Sequence, residues 1–144
     1  MLKPSELSPQ VSALLVEMVA ATFAADEVAV VTGGADIGAA FAGLAFDHLV
    51  FTGSTAVGRK VMAAAAPNLT PLTLELGGKS PALVAPGANI DAAARAIAFG
   101  KFLNAGQTCI APDYVLVPEA EREALVAALL ARIADGLGID AVGG

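Results

Sequence analysis

"HLVFTGSTAVGRKVMAAAA", residues 48–66, decides the fold. His48 to Phe51 is a short, nearly unbroken apolar run, the mark of a buried strand. Gly53-Ser54 turns the chain, and Ser54 to Ala66 then reads as a helix, stopped by the Pro67–Pro71 loop. A strand that leads through a glycine turn into a helix is half of a β-α-β unit.

The same alternation continues on both sides. Upstream, Ser8-Pro9 predicts an N-cap followed by proline at the first helical position. That helix runs to about Phe23, with Val11, Leu14, Leu15, Met18 and Val19 on one face. Val28 to Val31 predicts a strand, and Gly33-Gly34 a turn into a weak helix through Phe41. Downstream, Leu72 to Leu76 predicts a strand broken by Gly77-Gly78, and Pro81 to Ala85 another. Ile90 to Asn104 predicts a helix, Tyr114 to Val117 a strand, and Glu119 to about Ile133 an amphipathic helix. The expected fold is α/β, a partial Rossmann-like parallel sheet with flanking helices and doubly buried first strands. The composition changes at Gly77-Gly78-Lys79, and a domain crossover is expected there, dividing 1–76 from 77–144.

Composition narrows the class. The 144 residues are 56% hydrophobic with a mean hydropathy of +0.71, and only 15% are charged. A deficit of charge points to a membrane segment or to surfaces that something else covers. The longest uncharged stretch, Val61 to Leu74, falls short of a spanning helix and holds two prolines. No secretory signal pattern follows Met1, so a cytoplasmic location is expected. One cysteine cannot close an internal disulfide, in keeping with a reducing compartment. The net charge is −6 with no basic patch, which argues against a nucleic-acid partner. One Cys and one His do not make a metal site.

Two glycine loops imitate phosphate cradles. Gly33-Gly34-Ala35-Asp36-Ile37-Gly38 lacks the middle glycine of the dinucleotide fingerprint. Gly53-Ser54-Thr55-Ala56-Val57-Gly58-Arg59-Lys60 misplaces the lysine of a nucleotide-triphosphate loop. Its strand-to-helix geometry still leaves amides open to an anion. An ordinary strand-to-helix turn is the other reading.

Glu75 ends an apolar strand, where a carboxylate is costly unless paired or functional. Ligands in open α/β sheets bind at the carboxyl ends of strands. A rim residue with its head in water fits the pattern equally well. Cys109, in "GQTCIAP" (106–112), lies in a polar turn rather than an apolar periodic run, as a reactive thiol does. A Cys-His pair would have to use His48, which reads better as a rim residue.

Taken in order, "KPSE" (3–6), "FTGSTAVGRKV" (51–61), "LTLELGGKSP" (72–81) and "GQTCIAP" resemble the NAD(P)-dependent aldehyde dehydrogenase superfamily. The 34-residue spacing of Glu75 and Cys109 fits the same pattern. "FDHLVFTGSTAVG" and "CIAPDYVLVP" look most like its class 3 and coniferyl aldehyde dehydrogenase branch. The resemblance implies that Cys109 attacks the aldehyde and that Glu75 activates the water that hydrolyses the thioester. The Cys109 N–H would form half of the oxyanion hole. It further implies that Lys3 and Glu6 hold the adenine ribose of NAD or NADP. Gly53 and Ser54 would meet the pyrophosphate, and the backbone at Leu76 and Gly77 the nicotinamide. The substrates implied are aromatic or medium-chain aldehydes, and the full-length family is homo-oligomeric.

Against the family pattern the chain is expected to be an internal fragment. Residues 1–76 would be a partial cofactor-binding domain, and 77–144 the N-terminal segment of a truncated catalytic domain. Such a fragment lacks the upstream Asn of the oxyanion hole and the downstream Glu of the nicotinamide site. The isolated chain is then expected to be inactive, and the alternative is a dinucleotide-binding or subunit-interaction module.

Overall fold

In a computed structural model, which describes residues 1–136, the 48–76 segment forms a strand–helix–strand unit. Two helices precede it, α1 (Pro9–Thr22) and α2 (Ala35–Ala42). The unit itself is β1 (Leu49–Gly53), α3 (Thr55–Ala65) and β2 (Leu72–Leu76). Strands β1 and β2 pair in parallel, Leu49 opposite Leu72 and Gly53 opposite Leu76. The chain divides into two compact units between Leu76 and Gly77.

In the first unit α3 packs on both strands. Buried Gly58 faces the end of β2, where a Cβ would lie 2.9 Å from Leu76 Cδ2. Ala42, Leu49 and Ala65 are buried, and the Phe41 and Phe46 rings sit 4.9 Å apart. Asn68 Nδ2 donates to the Gly43 carbonyl at 2.6 Å and ties the α3–β2 connection to the end of α2.

The structure corrects three expectations. Val28–Val31 is not a regular strand: Val30 makes one parallel bridge to Leu2. Among the described residues only Leu2 lies alongside to exchange hydrogen bonds, with Ala29 and Val31. Nor are β1 and β2 doubly buried. Val50, Thr52, Thr73 and Glu75 are exposed, while Leu72, Leu74 and Leu76 are half-buried. With α3 on one side only, the alternation of "LTLEL" decides which side chains are covered. In α1, Val11, Leu14 and Met18 are exposed, and the inward line is Ser12, Leu15 and Val19. Ser12 is buried without penalty because its hydroxyl donates to the Ser5 and Ser8 carbonyls at 3.1 and 3.0 Å. Ser8 precedes the helix as expected, but its side chain makes no cap hydrogen bond.

The second unit pairs β3 (Ser80–Leu83) with β4 (Pro112–Leu116), again in parallel. Between them runs α4 (Ile90–Phe102), and α5 (Arg122–Ala134) follows. The core joins Val84, Ala94 and Leu125, with Ile90, Ile97, Val115 and Leu129 packed around them. Asn89 caps α4 by accepting from Ala92 N at 2.9 Å, and Asp91 and Lys101 complement its dipole at opposite ends. Among the described residues the strands thus form two separate two-stranded parallel pairs, one in each unit. Residues 137–144 of the expected second domain lie outside the described residues.

Candidate active site

The candidate site residues fall into both units. In the first, Lys3 Nζ meets Glu6 Oε2 at 2.8 Å. The hydrogen bond from Lys3 is the main cause holding the Glu6 carboxyl below the usual carboxylate range. Lys3 lies against Gly38 of α2, where a Cβ would stand 3.7 Å from its Cε and 3.8 Å from its Nζ. The glycine loop that lacks a dinucleotide fingerprint therefore lies beside Lys3. Its signal in the sequence is Gly38 inside a helix, a costly choice unless something packs there. Gly33, with φ at +152°, is the position that requires glycine, since a Cβ would meet Ile37 Cγ1 at 2.5 Å. A cleft of about 560 Å³ runs beside Glu6, lined by Ser5, Ser12, Thr32 and Gly33 among others.

Gly53 and Leu76 are register partners at the carboxyl end of the β1–β2 pair. Ser54 is the N-cap of α3, its Oγ accepting from Val57 N at 3.3 Å. The amides of that first turn point out of the carboxyl end of β1, as an anion site requires. Glu75 sits opposite Thr52 on the exposed face, on the same side of β2 as Thr73. The His48 ring takes Thr73 as its partner, Nε2 to Oγ1 at 2.9 Å.

In the second unit Gly77 has open space around it: a Cβ there would meet nothing within 4 Å. Backbone without side chains beside it suits close approach of a ligand ring. Cys109 is exposed. It occupies a tight turn closed by Ala111 N donating to the Thr108 carbonyl at 3.2 Å. The turn hangs from an unusual segment. Asn104, Ala105 and Gly106 all have positive φ (51°, 56° and 78°). Left-handed backbone at a non-glycine costs energy and persists where the surroundings enforce it. Here Asn104 and Gln107 exchange bonds: Gln107 N to Asn104 O at 3.1 Å, and each side-chain amide to the other's carbonyl at 3.4 Å. On the other side, a Cβ on Gly78 would lie 3.7 Å from the Cys109 carbonyl oxygen. Neither the Asn104–Gln107 reciprocity nor the Gly78 contact is legible in the sequence, because both depend on how the loop folds back.

Among the described residues no group of three His, Cys, Asp or Glu side chains stands ready to hold a metal, and no helix is long and apolar enough to cross a membrane.

The second unit thus offers an exposed thiol on a hydrogen-bonded turn, and the first unit, taken by itself, a carboxylate and a helix N-terminus at strand ends. A family model described as the aldehyde dehydrogenase family matches residues 1–138. The chain belongs to the aldehyde dehydrogenase family. It is 53% identical over 127 residues to a coniferyl aldehyde dehydrogenase of a Pseudomonas species, covering 88% of this chain and 26% of that one. It is 46% identical over 140 residues to the dimeric NADP-preferring aldehyde dehydrogenase of Mus musculus, covering 97% and 31%. Among solved structures, the Mycobacterium tuberculosis aldehyde dehydrogenase complexed with NAD+ superposes with a TM-score of 0.80 at 37% identity, over 90% of this chain and 27% of the other. The chain spans about a quarter of the length of the curated coniferyl aldehyde dehydrogenase it matches.

Proposed function

We propose that the chain carries the nucleophile, the water-activating base and the adenosine end of the dinucleotide site of an aldehyde dehydrogenase. The reaction is NAD- or NADP-dependent oxidation of an aromatic or medium-chain aldehyde to a carboxylic acid. Residues 1–76 belong to the cofactor-binding part and the residues from Gly77 on to the catalytic part. The observation that carries the reading is the exposed Cys109 on its stiffened turn, in a chain that belongs to the family.

The chemistry follows from the residues. The Cys109 thiolate attacks the carbonyl carbon, forming a C–S bond, and the oxygen that takes up charge is met by the Cys109 N–H. When bound, NAD or NADP supplies the acceptor for the hydride that leaves this carbon. Cys109 then holds a thioester. Glu75 removes a proton from water, the water oxygen attacks the acyl carbon, and the C–S bond breaks to return the thiolate. Aldehyde, oxidised cofactor and water give carboxylate, reduced cofactor and two protons. Lys3 and Glu6, already paired, offer a cation and a carboxylate oxygen to ribose hydroxyls. Gly53 and the α3 amides after Ser54 receive the pyrophosphate, and the backbone of Leu76 and Gly77, open on the Gly77 side, leaves room for the nicotinamide ring. The name of the Pseudomonas relative favours an aromatic aldehyde as substrate. A lone exposed thiol stays reduced most readily in a reducing compartment, and the cytoplasm is proposed.

A second reading, a nucleotide-binding or subunit-interaction module, is favoured by one observation. Large apolar side chains stand exposed, among them Leu7 at 91%, Leu69 at 88% and Ile110 at 78%. Apolar surface of this kind marks contact sites, and homo-oligomeric assembly is proposed on that ground and on the mouse relative's description as dimeric. An assay of benzaldehyde with NAD and with NADP separates the readings. Reduced nicotinamide that appears with the native chain and not with Cys109→Ala supports the enzyme. Calorimetric binding of the dinucleotide together with a Cys109 that neither turns over aldehyde nor is acylated by an activated ester selects the module.

A further inference from the structure

The register of β3 and β4 slips where the cysteine turn enters the sheet. Ser80 lies opposite Pro112 but Pro81 lies opposite Tyr114, so Asp113 is the extra residue of a bulge. Bulges re-aim a side chain. The Asp113 carboxylate takes the Lys79 ammonium as its partner, Oδ2 to Nζ at 2.8 Å. That hydrogen bond is the main cause holding the Asp113 carboxyl below the usual range.

Lys79 directly follows Gly78, where a Cβ would stand 3.7 Å from the Cys109 carbonyl oxygen, so the two segments run close together. Asp113 directly follows Pro112, which sits against Gly100 of α4, a Cβ there standing 3.3 Å from Pro112 Cδ. The ion pair thus joins the two backbone segments that flank the cysteine turn. We propose that Lys79 and Asp113 are positioning residues for Cys109: their pair ties the Gly78–Lys79 segment to the Pro112–Asp113 segment beside the cysteine and keeps the 107–111 turn in one orientation. The role deepens the function proposed above and rests on it for its purpose, while the strap itself is tested without any turnover.

Both side chains reach solvent, with exposures of 79% for Lys79 and 34% for Asp113, so the strap is weak and salt-sensitive. The test is amide hydrogen exchange, read by mass spectrometry on the full chain. In Asp113→Asn and Lys79→Met the two hydrogen-bonded amides of the turn, those of Gln107 and Ala111, exchange about two- to fivefold faster, the range an exposed pair supports. The amides inside α4 and α5 keep their native rates. The charge-exchanged double variant K79D/D113K restores slow exchange, which a packing role of either side chain alone would not do. About 1 M salt moves the native chain part of the way toward the single variants, since the exposed pair at 2.8 Å lies just inside the Debye length of about 3 Å there. The strap is overturned if the Gln107 and Ala111 amides stay at native rates in the single variants and in salt. It is equally overturned if the exchanged pair gives no restoration, or if native-chain exchange in salt rises through α4 and α5 alike.

Discussion

Gly53 and Leu76 lie opposite each other at the carboxyl end of the parallel pair, and Leu76 in turn lies under Gly58 of α3. One leucine therefore couples the strand end to the helix whose N-terminus forms the candidate anion site. A valine at Gly58 must displace Leu76 Cδ2, since even its Cβ would come within 2.9 Å. Gly58→Val is expected to destabilise the chain by about 1–3 kcal/mol. Urea denaturation measures it; an unchanged midpoint would mean that α3 does not bear on Leu76.

The cap of the same helix gives a smaller effect. Ser54→Ala removes the acceptor for Val57 N and is expected to cost about 0.5–2 kcal/mol, whereas Ser54→Asp keeps it. Thermal unfolding of both variants checks this. If the proposed pyrophosphate contact holds, Ser54→Asp also weakens dinucleotide binding by like-charge repulsion, and Ser54→Ala does so less.

Much of this architecture can be read from the residues, and the parts that cannot share a cause. Leu72–Leu76 and the α3 boundaries follow from local alternation and breakers, which act within a few residues. The Val28–Val31 run has the same local signal but, among the described residues, only Leu2 to pair with. Apolar periodicity misplaces the inward face of α1 because Ser12, polar in isolation, is satisfied by carbonyls of the preceding turn. At the candidate site, Cys109, Glu75 and Ser54 are chemically conspicuous. The left-handed run at Asn104–Gly106 and the bulge at Asp113 are not, because both express tertiary closure rather than residue preference.

Two carboxyls make stability depend on acid. Glu6 and Asp113 are held below the usual carboxylate range by Lys3 and Lys79. The unfolded chain therefore takes up protons first as pH falls. The stabilisation is complete above the unfolded values, about pH 4–4.5, and is lost as pH drops through the lower folded ones. Urea midpoints at low salt are expected to fall over that window. The gap between the native chain and Glu6→Gln or Asp113→Asn should close on acidification. A gap that stays constant down to about pH 3 would mean that neither pair contributes through its charge.

The assignment of Cys109 as nucleophile and Glu75 as its water-activating base can be tested without any cofactor. The chain is mixed with p-nitrophenyl acetate and followed by intact-mass spectrometry and by release of nitrophenolate. The predicted result is an acetyl group on Cys109, absent from Cys109→Ala. In Glu75→Gln the acetyl group should form at the native rate and be hydrolysed about a hundredfold more slowly, the low end of what a positioned general base contributes. Acetylation that survives in Cys109→Ala would contradict the nucleophile, and hydrolysis at the native rate in Glu75→Gln would contradict the base.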